Sequence, residues 1–335
     1  MLVEGQPSLE GLAAVPWSAL HHAYGTAEDV PDQIRALLHP DEKIRREVLF
    51  SFTCNIFHQG SRYTATVAAI PFFIELLRYE GVPEREGILD LLTYVAVPFP
   101  DEQRDNVSLR NIVKEASPFR AIKEPKYEWL RHDPETLRED AFIAHECYTA
   151  VAAGTPIYGE LLRHADPRIA IASSRLIAFL PLHAFALGEH LLAIALDGTR
   201  HDLVRGSALL SLSYLNGGNV LNRFVETCAS WLAEPGSAGP MPFLSTCAML
   251  CLLRDPNWSA DNETQQQLIG LAHAHQSGRG VEEPECDFYH EREIPDESES
   301  DGYYEEFFEP VPEFPWDVEG SLKPHVRSFL KKADQ

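Results

Sequence analysis

Leu37-Leu38-His39-Pro40-Asp41-Glu42-Lys43-Ile44-Arg45-Arg46-Glu47-Val48-Leu49 holds the end of one helix, a short turn on Pro-Asp and the start of a new amphipathic helix. An aspartate at such a turn accepts hydrogen bonds from the free N–H groups that open the next helix, and its charge suits the positive end of the helix dipole. The phrase returns twice. Leu161-Leu162-Arg163-His164-Ala165-Asp166-Pro167-Arg168-Ile169 repeats it, with Ser173, Leu176, Ile177 and Leu180 continuing the apolar face. Leu196-Asp197-Gly198-Thr199-Arg200-His201-Asp202-Leu203-Val204-Arg205-Gly206-Ser207-Ala208 repeats it again, followed by Leu209, Leu212 and Leu215. In each copy a branched apolar residue (Ile44, Ile169, Val204) and the residue four places on (Val48, Ser173, Ala208) share a helix face, and the small residues among them permit close approach. Alternating apolar runs are absent and the valines fall at helical spacing, so the expected fold class is all-α.

These copies resemble the HEAT or armadillo class of α-solenoid repeat, in which a helix pair cannot bury its apolar face alone and is stabilised by stacking on its neighbours. Arg45 and Arg205 match the arginine that follows the apolar position of that motif, whereas Ala170 departs from it. The resemblance implies a right-handed solenoid of helical hairpins over residues 1–281. Within it, residues 62–79 read as one helix, a break at Pro71 and a second helix carrying Phe72, Phe73, Leu76 and Leu77. Residues 84–95 supply a partner, 221–232 pairs with 242–253, and 264–275 follows. Residues 98–134 are proline-punctuated and basic, with Arg104, Arg110, Lys114, Arg120, Lys123, Lys126 and Arg131, and read as a loop insertion with a short helix around 109–116. A C-terminal helix is expected over 320–335.

Charge narrows the partner. The 335 residues carry 28 Lys and Arg against 51 Asp and Glu, a formal net charge of −23, which argues against a general phosphate-binding surface and so against direct contact with nucleic acid. The acidity is local: residues 282–319 hold 16 carboxylates against the single Arg292. Aromatic side chains interleave them, and purely solvating acidic tails have few of those. The candidate partner-binding residues are Tyr303, Tyr304, Glu305, Glu306, Phe307, Phe308 and Trp316. Two readings stand beside each other. The segment caps the apolar end of the helical array, or it presents carboxylates and aromatic anchors to a basic protein.

Other constellations are weaker. His145-Glu146, His201-Asp202 and His290-Glu291 resemble the His-Glu pairs of HEAT-repeat hydroxylases, but they do not recur at one repeat interval, so no metal or cofactor is expected. His58-Gln59-Gly60 reads as a helix end, with the histidine near free carbonyls. His21-His22 lacks a nucleophile or carboxylate at a defined spacing, and no nucleophile elbow, Walker loop or HExxH is present. The six cysteines form no CxxC pair, and Cys247 and Cys251 read as buried packing residues. Residues 1–20 show no secretory signal and no apolar run reaches a membrane-spanning length, so the chain is expected in the cytoplasm, away from membranes. The stretches Trp17-Ser18-Ala19-Leu20-His21-His22-Ala23-Tyr24-Gly25 and His58-Gln59-Gly60-Ser61-Arg62-Tyr63-Thr64-Ala65-Thr66 are similar to bacterial HEAT-like proteins, some acidic members of which are immunity proteins that neutralise a toxin domain. The resemblance implies a non-enzymatic solenoid binding a basic protein. The alternatives are a metal-dependent, hydroxylase-like enzyme on the same scaffold and a generic assembly scaffold.

Overall fold

The computed structural model describes residues 3–97, 134–181, 183–215, 220–232, 241–254, 262–277, 281–282, 284, 316 and 318–333. Among them are thirteen α-helices: α1 Val30–Ala36, α2 Glu42–Cys54, α3 Thr64–Leu77, α4 Arg85–Ala96, α5 Pro134–Ala152, α6 Thr155–Leu161, α7 Pro167–Ala178, α8 Gly188–Leu196, α9 Asp202–Leu215, α10 Val220–Trp231, α11 Phe243–Arg254, α12 Asn262–Gln276 and α13 Val318–Ala333. The fold is all-α, and its packing is that of hairpins in a row. Helices α2, α4, α7, α9, α11 and α13 pack each on the next as one continuous file. A second file flanks it, in which α1 meets α3, α3 meets α5 and α8 meets α10, while α6, α8, α10 and α12 each lie against a member of the first.

The turn phrase does what its chemistry requires in two copies and something different in the third. Asp41 Oδ1 accepts the Lys43 N–H at 2.9 Å and opens α2; Asp166 Oδ1 accepts the Arg168 N–H at 2.9 Å and opens α7. Each cap is itself held by a histidine two places earlier, since Asp41 N–H donates to His39 Nδ1 and Asp166 N–H to His164 Nδ1, both at 3.0 Å. In the third copy Asp197 is spent on its own loop, accepting from the Thr199 N–H at 3.0 Å, and His201 Nδ1 caps α9 by accepting from Leu203 N–H at 3.2 Å.

The motif arginines close the other end of each hairpin. Arg45 reaches back from α2 to the carbonyls of the turn that precedes it, donating from Nη1 to His39 O at 2.8 Å and Pro40 O at 2.9 Å, while its Nε donates to Glu84 Oε1 at 3.1 Å. Arg205 donates to Ala195 O at 3.1 Å and to Asp202 Oδ1 at 2.7 Å. Helix α7 has Ala170 at that position, and the missing donor comes from the next repeat: Arg200 donates to His164 O at 2.8 Å and to Arg163 O at 2.9 Å. The departure in the sequence is thus compensated across a repeat boundary.

Small residues set the spacing of the first file. Ser174 Oγ lies 3.1 Å from Ser207 Oγ and 2.7 Å from Ser211 Oγ, so α7 and α9 approach closely enough for their hydroxyls to satisfy one another. Gly206 lets α11 approach as tightly, because a Cβ there would stand 2.5 Å from the Phe243 ring.

Four expectations are corrected. Pro71 does not break the chain but lies inside α3, which runs unbroken from Thr64 to Leu77. An interior proline costs about 3 kcal/mol, and the burial of Ile70, Phe72, Phe73, Ile74, Leu76 and Leu77 offsets it. His58 is not at a helix end: α2 stops at Cys54, and His58 sits in a small hairpin. Short strands do occur, as β1 His21–His22 paired with β2 Gly25–Thr26, β3 Phe57–His58 with β4 Ser61–Arg62, and β5 Met241–Pro242 parallel to β6 Val281–Glu282. The terminal helix begins at Val318, two residues earlier than expected. The insertion over 98–134 lies outside the described residues except for Pro134, which opens α5.

His164 gives the fold a pH dependence. Its Nδ1 holds the Asp166 N–H while its Nε2 stands 3.0 Å from Arg85 Nη2. Burial, and after it the Arg85 charge, hold the imidazole below its ordinary pKa, against the pull of Asp166 and Glu80. The unfolded chain takes up the proton near pH 6.5. The folded ring does so only at lower pH, so stability falls as pH drops below about 6.5 and levels off once the folded ring also titrates. Chemical unfolding between pH 7.5 and 5 shows this loss in the wild type, and His164→Asn, which keeps an acceptor for Asp166 N–H, reduces it.

Candidate partner-binding site

Of the seven residues singled out by the sequence, Tyr303, Tyr304, Glu305, Glu306, Phe307 and Phe308 lie outside the described residues. Trp316 is described, and it is part of the core instead of the surface, with 5% of its area exposed. Its indole N–H donates to Ser207 Oγ at 2.8 Å, and its ring stacks on Tyr214 at 5.7 Å with 30° between planes. Both partners are on α9. Immediately after it Val318 is buried and α13 packs on α11 and α12. The other flank of the acidic stretch is also fixed, where Val281 and Glu282 pair with Met241 and Pro242 at the head of α11. The chain therefore enters and leaves the acidic segment at two points on the last hairpins.

At the opposite end two β-hairpins bring together His21-His22 and His58-Gln59-Gly60, which the sequence presents separately. The first turns on Ala23 and Tyr24, with Gly25 at φ 127° supplying a conformation closed to other residues. The second turns on Gln59 and Gly60, both at positive φ, as a tight two-residue turn requires. Hydrogen bonds tie the hairpins to one another's frames: His21 N–H donates to Thr64 Oγ1 at 2.9 Å and Ala23 N–H to Asn55 O at 3.1 Å. Tyr24 stands at the tip of the first with 71% of its area exposed. Its ring lies 6.3 Å from His22 and 5.7 Å from His58, at 69° and 61°.

The polar groups beneath form a chain. Tyr24 N–H donates to His22 Nδ1 at 3.0 Å, so the ring's proton sits on Nε2, 3.0 Å from Asp29 Oδ1. Gln33 Nε2 donates to Asp29 Oδ2, and Asn55 Nδ2 to Gln33 Oε1, each at 2.9 Å. Both nitrogens of His22 are thereby committed, which makes it a scaffold group and not a free base. Beside the second hairpin, burial pushes the Tyr63 pKa up against the pull of its hydrogen bond with Ser61, with smaller upward contributions from the Asp140 charge on α5 and from Tyr24. Tyr24, His58, Tyr63 and Asp140 thus share one neighbourhood. Of this group the sequence singles out His21-His22 and His58-Gln59-Gly60, while Asp29, Tyr63 and Asp140 carry no signal of their own.

The remaining candidates stay apart. His145 lies on α5 and His201 caps α9, while His290 is outside the described residues. Among the described residues no three His, Cys, Asp or Glu side chains are grouped to hold a metal ion. The described cysteines are free thiols. Burial pushes Cys147 up to about 12, only partly opposed by Arg62, and raises Cys228 and Cys247 as well, so these sulfurs pack as small apolar groups. Among the described residues no helix is long and apolar enough to cross a membrane. The class defined by this fold is an all-α array of stacked helical hairpins with small β-hairpins at its N-terminal end. No family model, no curated protein and no solved structure matches the chain.

Proposed function

We propose that the chain is a HEAT-like, right-handed helical-repeat protein of the bacterial cytoplasm that works by binding a basic protein, most concretely as an immunity-type protein that blocks the cleft of a basic toxin domain. The observation that carries this reading is the placement of charge: 16 carboxylates between residues 282 and 319, where both flanks are fixed to the last hairpins. A segment whose two ends are anchored would meet a cationic surface at a lower ordering cost than a free tail, and its charge would raise the association rate. The aromatic residues Tyr303, Tyr304, Phe307 and Phe308 would supply the anchors that charge alone does not give.

The test uses a small basic toxin domain encoded beside this chain. Co-expression relieves its toxicity, and the two proteins bind with an affinity that falls steeply as salt rises. Converting the carboxylates of residues 283–315 to amides weakens binding by about a hundredfold or more and flattens the salt dependence, with α13 and Trp316 left in place. Unchanged affinity and slope in that variant would remove the acidic-segment mechanism.

A further inference from the structure

Three properties coincide at the N-terminal hairpins. Tyr24 is the most exposed of the large hydrophobic side chains described, yet its backbone is pinned through His22 and Asn55, so docking against it orders little that is not ordered already. Asp29 stands half-exposed beside the tip, its carboxylate 3.0 Å from His22 Nε2 and accepting from Gln33 Nε2 at 2.9 Å. Glu28 and Asp29 follow the first hairpin and are exposed, as is Asp140, which shares the neighbourhood of Tyr63 and Tyr24 and faces the half-buried Arg62, while Arg35 is paired with Asp32 at 2.7 Å.

We infer that this face is a second contact for the basic partner, taking up a lysine or arginine side chain on the Tyr24 ring between the carboxylates of Asp29 and Asp140. The inference rests on the reading that the partner is basic. A cation over a tyrosine ring gains from the ring's quadrupole, and flanking carboxylates strengthen the attraction without burying a charge of their own. Tyrosine at the centre of a rigid, solvent-facing patch is also the residue type that most often dominates binding at protein interfaces. The contact lies at the far end of the array from Val281–Glu282 and Trp316, the described flanks of the acidic segment.

The probe is a labelled peptide of alternating lysine and glycine carrying a photoreactive benzophenone, titrated against the full chain at low salt. Tyr24→Ala weakens binding about five- to tenfold, Tyr24→Phe stays within about twofold, and Asp140→Asn weakens it by a smaller factor. Cross-links fall in residues 21–29 and 57–63 as well as in the acidic segment. Tyr24 is exposed enough that each variant keeps its thermal midpoint, which the same samples verify. If Tyr24→Ala binds like the wild type and cross-links are confined to 283–315, this contact is wrong while the basic-partner reading stands. If the wild-type chain does not bind the peptide at all, both fall together.

Discussion

Arg45→Met lowers the free energy of unfolding by about 3–5 kcal/mol, because it leaves the Glu84 carboxylate buried without a cation. The two side chains are only 10% and 13% exposed, and the same guanidinium serves the His39 and Pro40 carbonyls. Three acceptors lose their donor at once. Replacing both partners, as in Arg45→Met with Glu84→Met, removes the stranded charge, so the double variant recovers a large part of the loss. Chemical denaturation of the single and double variants measures this directly. Hydrogen exchange locates it, with faster exchange expected first in α1, α2 and α4, since repeat arrays lose stability between nearest neighbours. A single variant within about 0.5 kcal/mol of the wild type would mean that the pair is solvated and the turn does not depend on it.

Trp316→Ala costs about 3–5 kcal/mol, the usual range for emptying a large aromatic site in a packed core. The indole is held on two sides, by the stack on Tyr214 and by the bond to Ser207 Oγ. Trp316→Phe keeps most of the ring contact and leaves Ser207 with its Ser174 partner, so it costs about 1–2 kcal/mol. Unfolding curves of the two variants check the ranking. Partner affinity measured in parallel separates the roles. A core residue changes stability in both variants, while a surface anchor would change affinity and leave the unfolding midpoint where it was.

What the sequence revealed followed from how many residues carried each signal. The hairpins were legible because a helix of ten or more residues repeats its apolar face several times, and the Asp41 and Asp166 turns name their own caps. Pro71 misled because a local rule about one missing donor was outweighed by the six buried side chains around it. The β-hairpins left no period to find: two-residue strands alternate only once, and the turn at Gln59-Gly60 depends on backbone angles at two residues. Trp316 looked like a surface anchor because its neighbours in sequence are acidic. Its neighbours in space, Ser207 and Tyr214, are more than a hundred positions away.

The loan of Arg200 to the hairpin before it makes the unit of inheritance different from the unit of cohesion. Duplicating or excising one sequence repeat in this region would strand the carbonyls of Arg163 and His164, or supply them with two competing donors. Length variation by whole repeats is therefore obstructed between α6 and α9, and easier where each turn, like that of Arg45, is closed by its own helix. Shuffled or truncated arrays built from this chain should be cut outside that shared joint.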